Sequence, residues 1–241
     1  MRRDEDREEH DSVRMPRLFV DSADTAAVAP LLQDSLVHGV TTNPTILDRA
    51  GRTAGEIPAL YAQWERLGAG EIFVQAWGTD RAATEHRARQ ILDLGERAVV
   101  KIVATAEGFA LASALSREGA PVLLTGVYTP AQALAAASSS VRYIAPYLGR
   151  MRDARIGDVD EIAQMQELAG AAGTEVLAAS LRSPQDVVEL ASRGITACTA
   201  SPDVLAAMLV SEATDGAADA FESADSLRGA PEFLPPVPGI P

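Results

Sequence analysis

Ala98-Val99-Val100-Lys101-Ile102-Val103 is a short run of small and β-branched apolar residues broken by one lysine. A run of this length and composition reads as a strand buried on both faces, the kind that fills a parallel sheet. An ammonium in such a strand is costly unless it has a partner or a task. Lysine gives up its proton readily when desolvated, and the neutral amine is a nucleophile that forms Schiff bases with carbonyl compounds. The competing reading is a lysine whose apolar stem lies along the strand while its head reaches solvent.

Runs of the same kind recur along the chain at a regular beat: Arg17–Asp21, Gly39–Asn43, Glu71–Gly78, Ala98–Val103, Pro121–Tyr128, Val141–Leu148, Glu175–Ser180 and Gly194–Ser201. Between them lie Ala-rich amphipathic stretches long enough for crossover helices: Ala82–Leu94, Ala106–Glu118, Pro130–Ala137, Val159–Gly170, Pro184–Ser192 and Pro202–Leu209. Several open on Pro or on a Ser, Thr or Asp cap and close near a glycine such as Gly95, Gly119 or Gly194. Alternating strands and helices predict parallel strands covered by helices. Eight such units predict an α/β fold of the closed (β/α)₈ barrel (TIM barrel) type, a single domain over residues 17–225. An open nucleotide-binding sheet needs a glycine-rich first turn, and Val20-Asp21-Ser22-Ala23-Asp24 has none. No metal-binding motif, phosphate-binding P-loop or Gly-x-Ser-x-Gly elbow is present, so no metal and no cofactor are expected.

The 241 residues carry a formal charge of −13 and 47% apolar residues, enough for a sizeable core. The acidity argues against nucleic acid and anionic membranes as partners, but a few local arginines suffice to hold a phosphate. No segment is apolar for the length of a membrane span. The single Cys198 cannot form an internal disulfide, which fits a reducing, cytoplasmic setting. Residues 1–16 are of mixed charge and read as a disordered tail rather than a secretory signal, with Met15 an alternative start. Residues 226–241, rich in proline, read as an extended C-terminal tail.

In a barrel of this type the chemistry sits at the C-terminal strand ends. There the chain places Asp21, Thr41-Thr42-Asn43-Pro44, Gln75, Lys101, Thr125, Tyr128, Tyr147 with Arg150, and Ser180 with Arg182. A carboxylate, a lysine, amides, hydroxyls and two arginines together suit a small polar substrate with an anionic end. Each residue also has a purely structural reading. Asp21 or Asp24 caps a helix, Asn43-Pro44 makes a turn, Tyr147 is a core ring with a wet hydroxyl, and Arg150, Arg152 and Arg155 form surface ion pairs.

Leu18–Asp24, Gly39–Thr45, Phe73–Gln75, Val100–Ile102 with Thr105–Gly108, Thr125–Tyr128, Tyr143–Arg150 and Ala178–Ser183 together resemble the transaldolase family, and within it the small fructose-6-phosphate aldolase-like branch. The resemblance covers roughly residues 17 to 225, and Thr41-Thr42-Asn43-Pro44 and Lys101 with Thr105-Ala106-Glu107-Gly108 are its most specific motifs. It implies a metal-independent class I aldolase acting on sugar phosphates and dihydroxyacetone-type compounds. Lys101 matches the Schiff-base lysine and Asp21 the carboxylate that takes the C4 hydroxyl proton. Gln75, Thr125 and Tyr147 match the groups around the catalytic water. Thr41 and Asn43 match donor-binding residues, and Arg150, Ser180 and Arg182 the phosphate end. Transaldolases proper place Glu at the position of Gln75 and Phe at that of Tyr147, so this pair favours free aldol cleavage or addition over group transfer. The chain departs from the family at Val103, where proline is usual, at Leu181, where an aromatic is commoner, and over Asp153–Val159.

Two alternatives stand beside the aldolase reading: a transaldolase moving a dihydroxyacetone unit between sugar phosphates, and a non-catalytic barrel serving as a binding or scaffold protein. The resemblance also implies a homo-oligomer, a pentamer or decamer, with a C-terminal helix around Ala217–Ala224 packed on a neighbour through Phe221.

Overall fold

The computed structural model describes residues 16–228. The tails expected at either end lie largely outside them. The chain divides into two compact units between Leu205 and Ala206.

In the first unit, strands β1 (Arg17–Asp21), β2 (Gly39–Thr41), β3 (Glu71–Gln75), β4 (Ala98–Val103), β5 (Val122–Val127), β6 (Tyr143–Pro146), β7 (Glu175–Leu181) and β8 (Ala197–Ala200) pair in sequence order and close by pairing β8 with β1. Every pairing is parallel. This is the expected (β/α)₈ barrel. The helices of this unit are α1 (Thr25–Gln33), α2 (Pro44–Arg49), α3 (Ile57–Arg66), α4 (Arg81–Leu92), α5 (Ala106–Arg117), α6 (Pro130–Ser138), α7 (Leu148–Ala154), α8 (Val159–Gly170) and α9 (Pro184–Ala191), followed by α10 (Pro202–Ala207) at the division. Side-chain caps define most of their starts. Thr129 with Gln132, Asp158 with Glu161 and Ser183 with Asp186 form reciprocal capping boxes, and Asp24 caps α1 by accepting from the Ala26 N–H. Asp24 therefore takes the capping role that was open to Asp21.

Several strand ends differ from expectation. β2 stops at Thr41 and β3 at Gln75, because Asn43 and Asp80 turn the chain into α2 and α4 as N-caps. The run Val141–Leu148 contains only a four-residue strand, since Leu148 already opens α7 and Tyr147 is its N-cap residue.

Side chains two residues apart on a strand share a face, and this rule stacks the barrel interior in layers. At the N-terminal end the buried Glu71 takes Arg17 at 2.9 Å, Arg142 at 2.7 Å and the Tyr143 hydroxyl at 2.8 Å. The middle layer is apolar and includes Phe19, Phe73, Val99, Leu123, Ala145, Leu177 and Ala197. Two steps above Phe19, Phe73, Val99, Leu123 and Ala197 stand Asp21, Gln75, Lys101, Thr125 and Thr199. The barrel thus has an ionic floor, an apolar plug and a polar mouth.

The second unit contains α11 (Glu212–Arg228), so residues 226–228 are helical, and the rest of the expected C-terminal tail lies outside the described residues. Phe221 is 75% exposed within it. Among the described residues no helix is long and apolar enough to cross a membrane.

Candidate active site

A cavity of about 430 Å³ opens at the C-terminal mouth of the barrel. Lys101, Asp21, Thr41, Asn43, Tyr147, Arg150, Ser180 and Arg182 all line it, so the barrel gathers eight of the residues singled out from sequence onto one surface. Thr125 and Gln75 do not line it. Thr125 reaches the cavity wall through a 2.7 Å hydrogen bond between its hydroxyl and that of Tyr147. Gln75 pairs in register with Lys101 but lines a neighbouring cavity of about 240 Å³, between the ends of β3 and β4, with Trp77 and Thr105.

Lys101 does not reach solvent. It is 5% exposed, and its Nζ donates to the Thr42 carbonyl at 3.0 Å. Burial pushes its pKa below the ordinary lysine value, opposed by the charge of Asp21. Asp21 lines the same cavity, and burial pushes its pKa above the usual carboxylate range, opposed by Lys101 and by the Thr41 hydroxyl. For both groups burial is the larger influence, and it disfavours the charged form of each, so a less basic amine stands beside a less acidic carboxyl. This is the combination that amine nucleophilic attack with general acid–base assistance needs.

A short hydroxyl chain serves Asp21. Thr41 Oγ1 donates to Asp21 Oδ1 at 2.5 Å and lies 2.6 Å from Thr199 Oγ1. With its single proton given to an ionised Asp21, Thr41 accepts from Thr199. Thr199 was not singled out from sequence because it lies in the apolar run Ala197-Cys198-Thr199-Ala200. Its two-residue spacing from the core residue Ala197 is the signal that marks it as inward-facing.

Tyr147 is fixed on three sides. Its hydroxyl meets Thr125, its ring lies edge-on to Tyr128 at 6.1 Å, and the Arg150 guanidinium sits 4.8 Å over its face. Burial raises its pKa, and Asp21 adds to the rise. The Tyr147 hydroxyl therefore stays protonated at neutral pH and is a donor.

Two irregularities aim the rim. β5 shifts register between Thr125 and Val127, with Gly126 at φ +70°. β7 shifts between Ala178 and Leu181, with Ser180 at φ +60°. A serine in the left-handed region is strained, and such strain collects at functional sites. Gly149 makes room for this bulge. A Cβ there would lie 2.6 Å from the Ser180 carbonyl oxygen and 2.7 Å from Arg182 Nε.

The cations differ in their partners. Arg182 is exposed and held by Asp153 as a two-pronged pair, Nη1 to Oδ1 at 2.8 Å. Arg152 does form the ion pairs expected of the basic stretch, to Asp158 and to the buried Asp186 at 2.7 Å and to Glu189 at 2.8 Å. Asp186 in turn accepts the backbone N–H of Arg182 at 2.7 Å, so Arg152 steadies the loop after β7. Arg150 makes no ion pair with any described residue. Asn43 uses its Oδ1 to cap α2 through the Ile46 N–H at 3.0 Å, so the turn reading of that residue holds alongside its place on the cavity. Among the described residues no group of three His, Cys, Asp or Glu side chains is arranged to hold a metal ion. Cys198 is buried and its thiol is pushed up to about 12, which makes it a core side chain rather than a nucleophile.

Residues 18–230 match the family model described as Transaldolase/Fructose-6-phosphate aldolase. The chain belongs to the transaldolase/fructose-6-phosphate aldolase family. A probable transaldolase from Hyphomonas neptunium is 31% identical over 207 residues, which cover 85% of this chain and 94% of that protein. A probable transaldolase from Cereibacter sphaeroides is 32% identical over 209 residues, covering 86% and 94%. Among solved structures, a mandelate oxidase variant bound to 2-hydroxy-phenylacetamide superposes with a TM-score of 0.58 at 16% identity, over 78% of this chain and 65% of that one. That likeness is one of barrel architecture alone. Membership of the transaldolase/aldolase family makes this chain an enzyme of the aldolase/transaldolase type.

Proposed function

We propose that this protein is a metal-independent Schiff-base aldolase that cleaves or forms a ketose phosphate such as fructose 6-phosphate. The observation that carries this reading is the buried Lys101 amine, facing the same cavity as Asp21 and a rim of guanidinium groups. Lys101 Nζ attacks the C2 ketone, and loss of water from the resulting carbinolamine leaves an iminium. Tyr147, with its hydroxyl tied to Thr125, supplies and recovers protons in that exchange, and Gln75 orders water beside it. Asp21 takes the proton of the C4 hydroxyl. The C3–C4 bond breaks, its electron pair passes into the iminium, and the C4 fragment leaves as glyceraldehyde 3-phosphate. Protonation of the enamine at C3 and hydrolysis of the imine release dihydroxyacetone and restore Lys101. Thr41 and Asn43 hold the donor end, while Arg150, Ser180 and Arg182 hold the phosphate.

The pairing of Gln75 with Tyr147 supports free cleavage over transfer, since a Gln amide takes no proton at neutral pH. The names of the relatives favour a second reading, transaldolase. The test is release of glyceraldehyde 3-phosphate from fructose 6-phosphate with no acceptor aldehyde present. Steady release supports the aldolase; release only when an aldose phosphate acceptor is added supports the transferase. We also propose that the chain assembles with copies of itself through α11, a reading supported by the exposed Phe221; a monomeric mass by light scattering at micromolar protein contradicts it.

A further inference from the structure

The cavity carries one cation that the proposed mechanism leaves unused. Six charged side chains line it: Lys101, Asp21, Arg49, Arg150, Asp153 and Arg182. Lys101 and Asp21 form the reacting pair, and Arg182 is neutralised by Asp153. Arg49 and Arg150 are left, and neither makes a hydrogen bond or an ion pair with any described residue. They approach from opposite sides of the mouth, Arg49 from the end of α2 and Arg150 from the first turn of α7. The charge of each bears on the Asp21 carboxyl and opposes the rise of its pKa. Arg49 is aimed there by spacing: Asn43, Ile46 and Arg49 stand three residues apart at one end and along the body of α2, so they share a face, and all three line the cavity. The Asn43 cap and Pro44 at the first turn fix that helix, so the guanidinium projects from a held element rather than a loop.

We propose that Arg49 is a specificity-determining residue that binds the anionic end of the substrate together with Arg150, and so selects phosphorylated over neutral carbonyl compounds. The inference rests on the aldolase reading of the same site. A phosphate dianion gains from two unpaired guanidinium groups without first displacing a carboxylate, whereas engagement of Arg182 requires release of Asp153. A cation in the last turn of a helix also favours the helix itself, so a change in melting temperature alone says nothing about binding.

The experiment uses the full chain, its Arg49→Gln variant and its Arg49→Lys variant. Borohydride trapping followed by intact mass gives the concentration of ketone needed for half-maximal adduct, with fructose 6-phosphate in one series and dihydroxyacetone, which has no phosphate, in the other. Arg49→Gln is expected to raise that concentration roughly 10- to 100-fold for fructose 6-phosphate, the size of one charge-assisted contact. For dihydroxyacetone the shift is expected to stay under about twofold, and Arg49→Lys recovers part of the loss because its charge remains. Equal shifts for both ketones, or no shift for either, overturn the assignment of Arg49 while leaving the aldolase reading intact. A wild-type chain that traps neither ketone overturns the aldolase reading, and this inference with it.

Discussion

Replacing Thr41 with Val keeps the shape of a fully buried side chain and removes the one hydroxyl that donates to Asp21. The hydrogen bond is short, 2.5 Å, and its acceptor is a carboxylate. Bonds of this charge-assisted kind contribute about 1.5–3 kcal/mol. The bond favours the ionised form of Asp21, so its loss raises the Asp21 pKa further, by about 1 to 2 units at 1.36 kcal/mol per unit. The assay is the pH dependence of kcat/KM for fructose 6-phosphate cleavage. Its acidic limb, set by the base form of Asp21, is expected to move to higher pH by that amount, while the plateau above it falls less. Stability supplies an independent check. A carboxyl whose pKa in the fold is raised above its unfolded value, about 4, stabilises the fold fully below that value, and that contribution is lost as pH rises through the folded pKa. The destabilisation caused by Thr41→Val in urea is therefore expected to be larger at pH 8 than at pH 4. An acidic limb that stays in place or moves to lower pH refutes the role given to Asp21 and its hydroxyl chain.

Three further outcomes follow from the same geometry. Tyr147→Phe removes the hydroxyl bonded to Thr125 and is expected to slow imine formation roughly 100-fold, measured by stopped trapping with dihydroxyacetone, with little change in melting temperature. Gly149→Ala places a Cβ 2.6 Å from the Ser180 carbonyl, displacing Ser180 and Arg182. It is expected to cost about 1–3 kcal/mol of stability and to raise KM for fructose 6-phosphate while the Lys101 adduct with dihydroxyacetone still forms. Glu71→Gln breaks the ionic floor that joins Arg17, Arg142 and Tyr143, and is expected to lower stability on the order of 3 kcal/mol in urea with kcat unchanged, since that layer lies at the end of the barrel opposite the site.

The barrel was legible because each strand is short, apolar and set off by capped helices. Strand ends were harder to read. The chain leaves β6 through Tyr147 and Leu148, and an apolar pair continues a strand pattern as well as it opens a helix; only the bend into α7 decides. Helices α1 and α2 carry weak signals for a different reason: Pro30 lies inside α1, and α2 is six residues long. Within the site, Lys101 and Asp21 stood out because a charge in an apolar run needs an explanation. Thr199 and Arg49 did not stand out. A hydroxyl among small residues breaks no pattern, and an arginine at a helix end has an ordinary role. Only the barrel register and the face of α2 bring them to the cavity. The Arg182–Asp153 pair joins α7 to the loop after β7, two places that no local sequence feature connects.

The central claim is that the Lys101 amine forms a covalent imine with a ketone substrate. Its most direct test is intact-protein mass spectrometry after incubation with dihydroxyacetone or fructose 6-phosphate and borohydride, with Lys101→Ala in parallel. The account predicts a reduced adduct on the wild-type chain, mapped to the peptide containing Lys101, and none on the variant. An unmodified wild-type chain with both ketones, or an adduct that persists in Lys101→Ala, contradicts it.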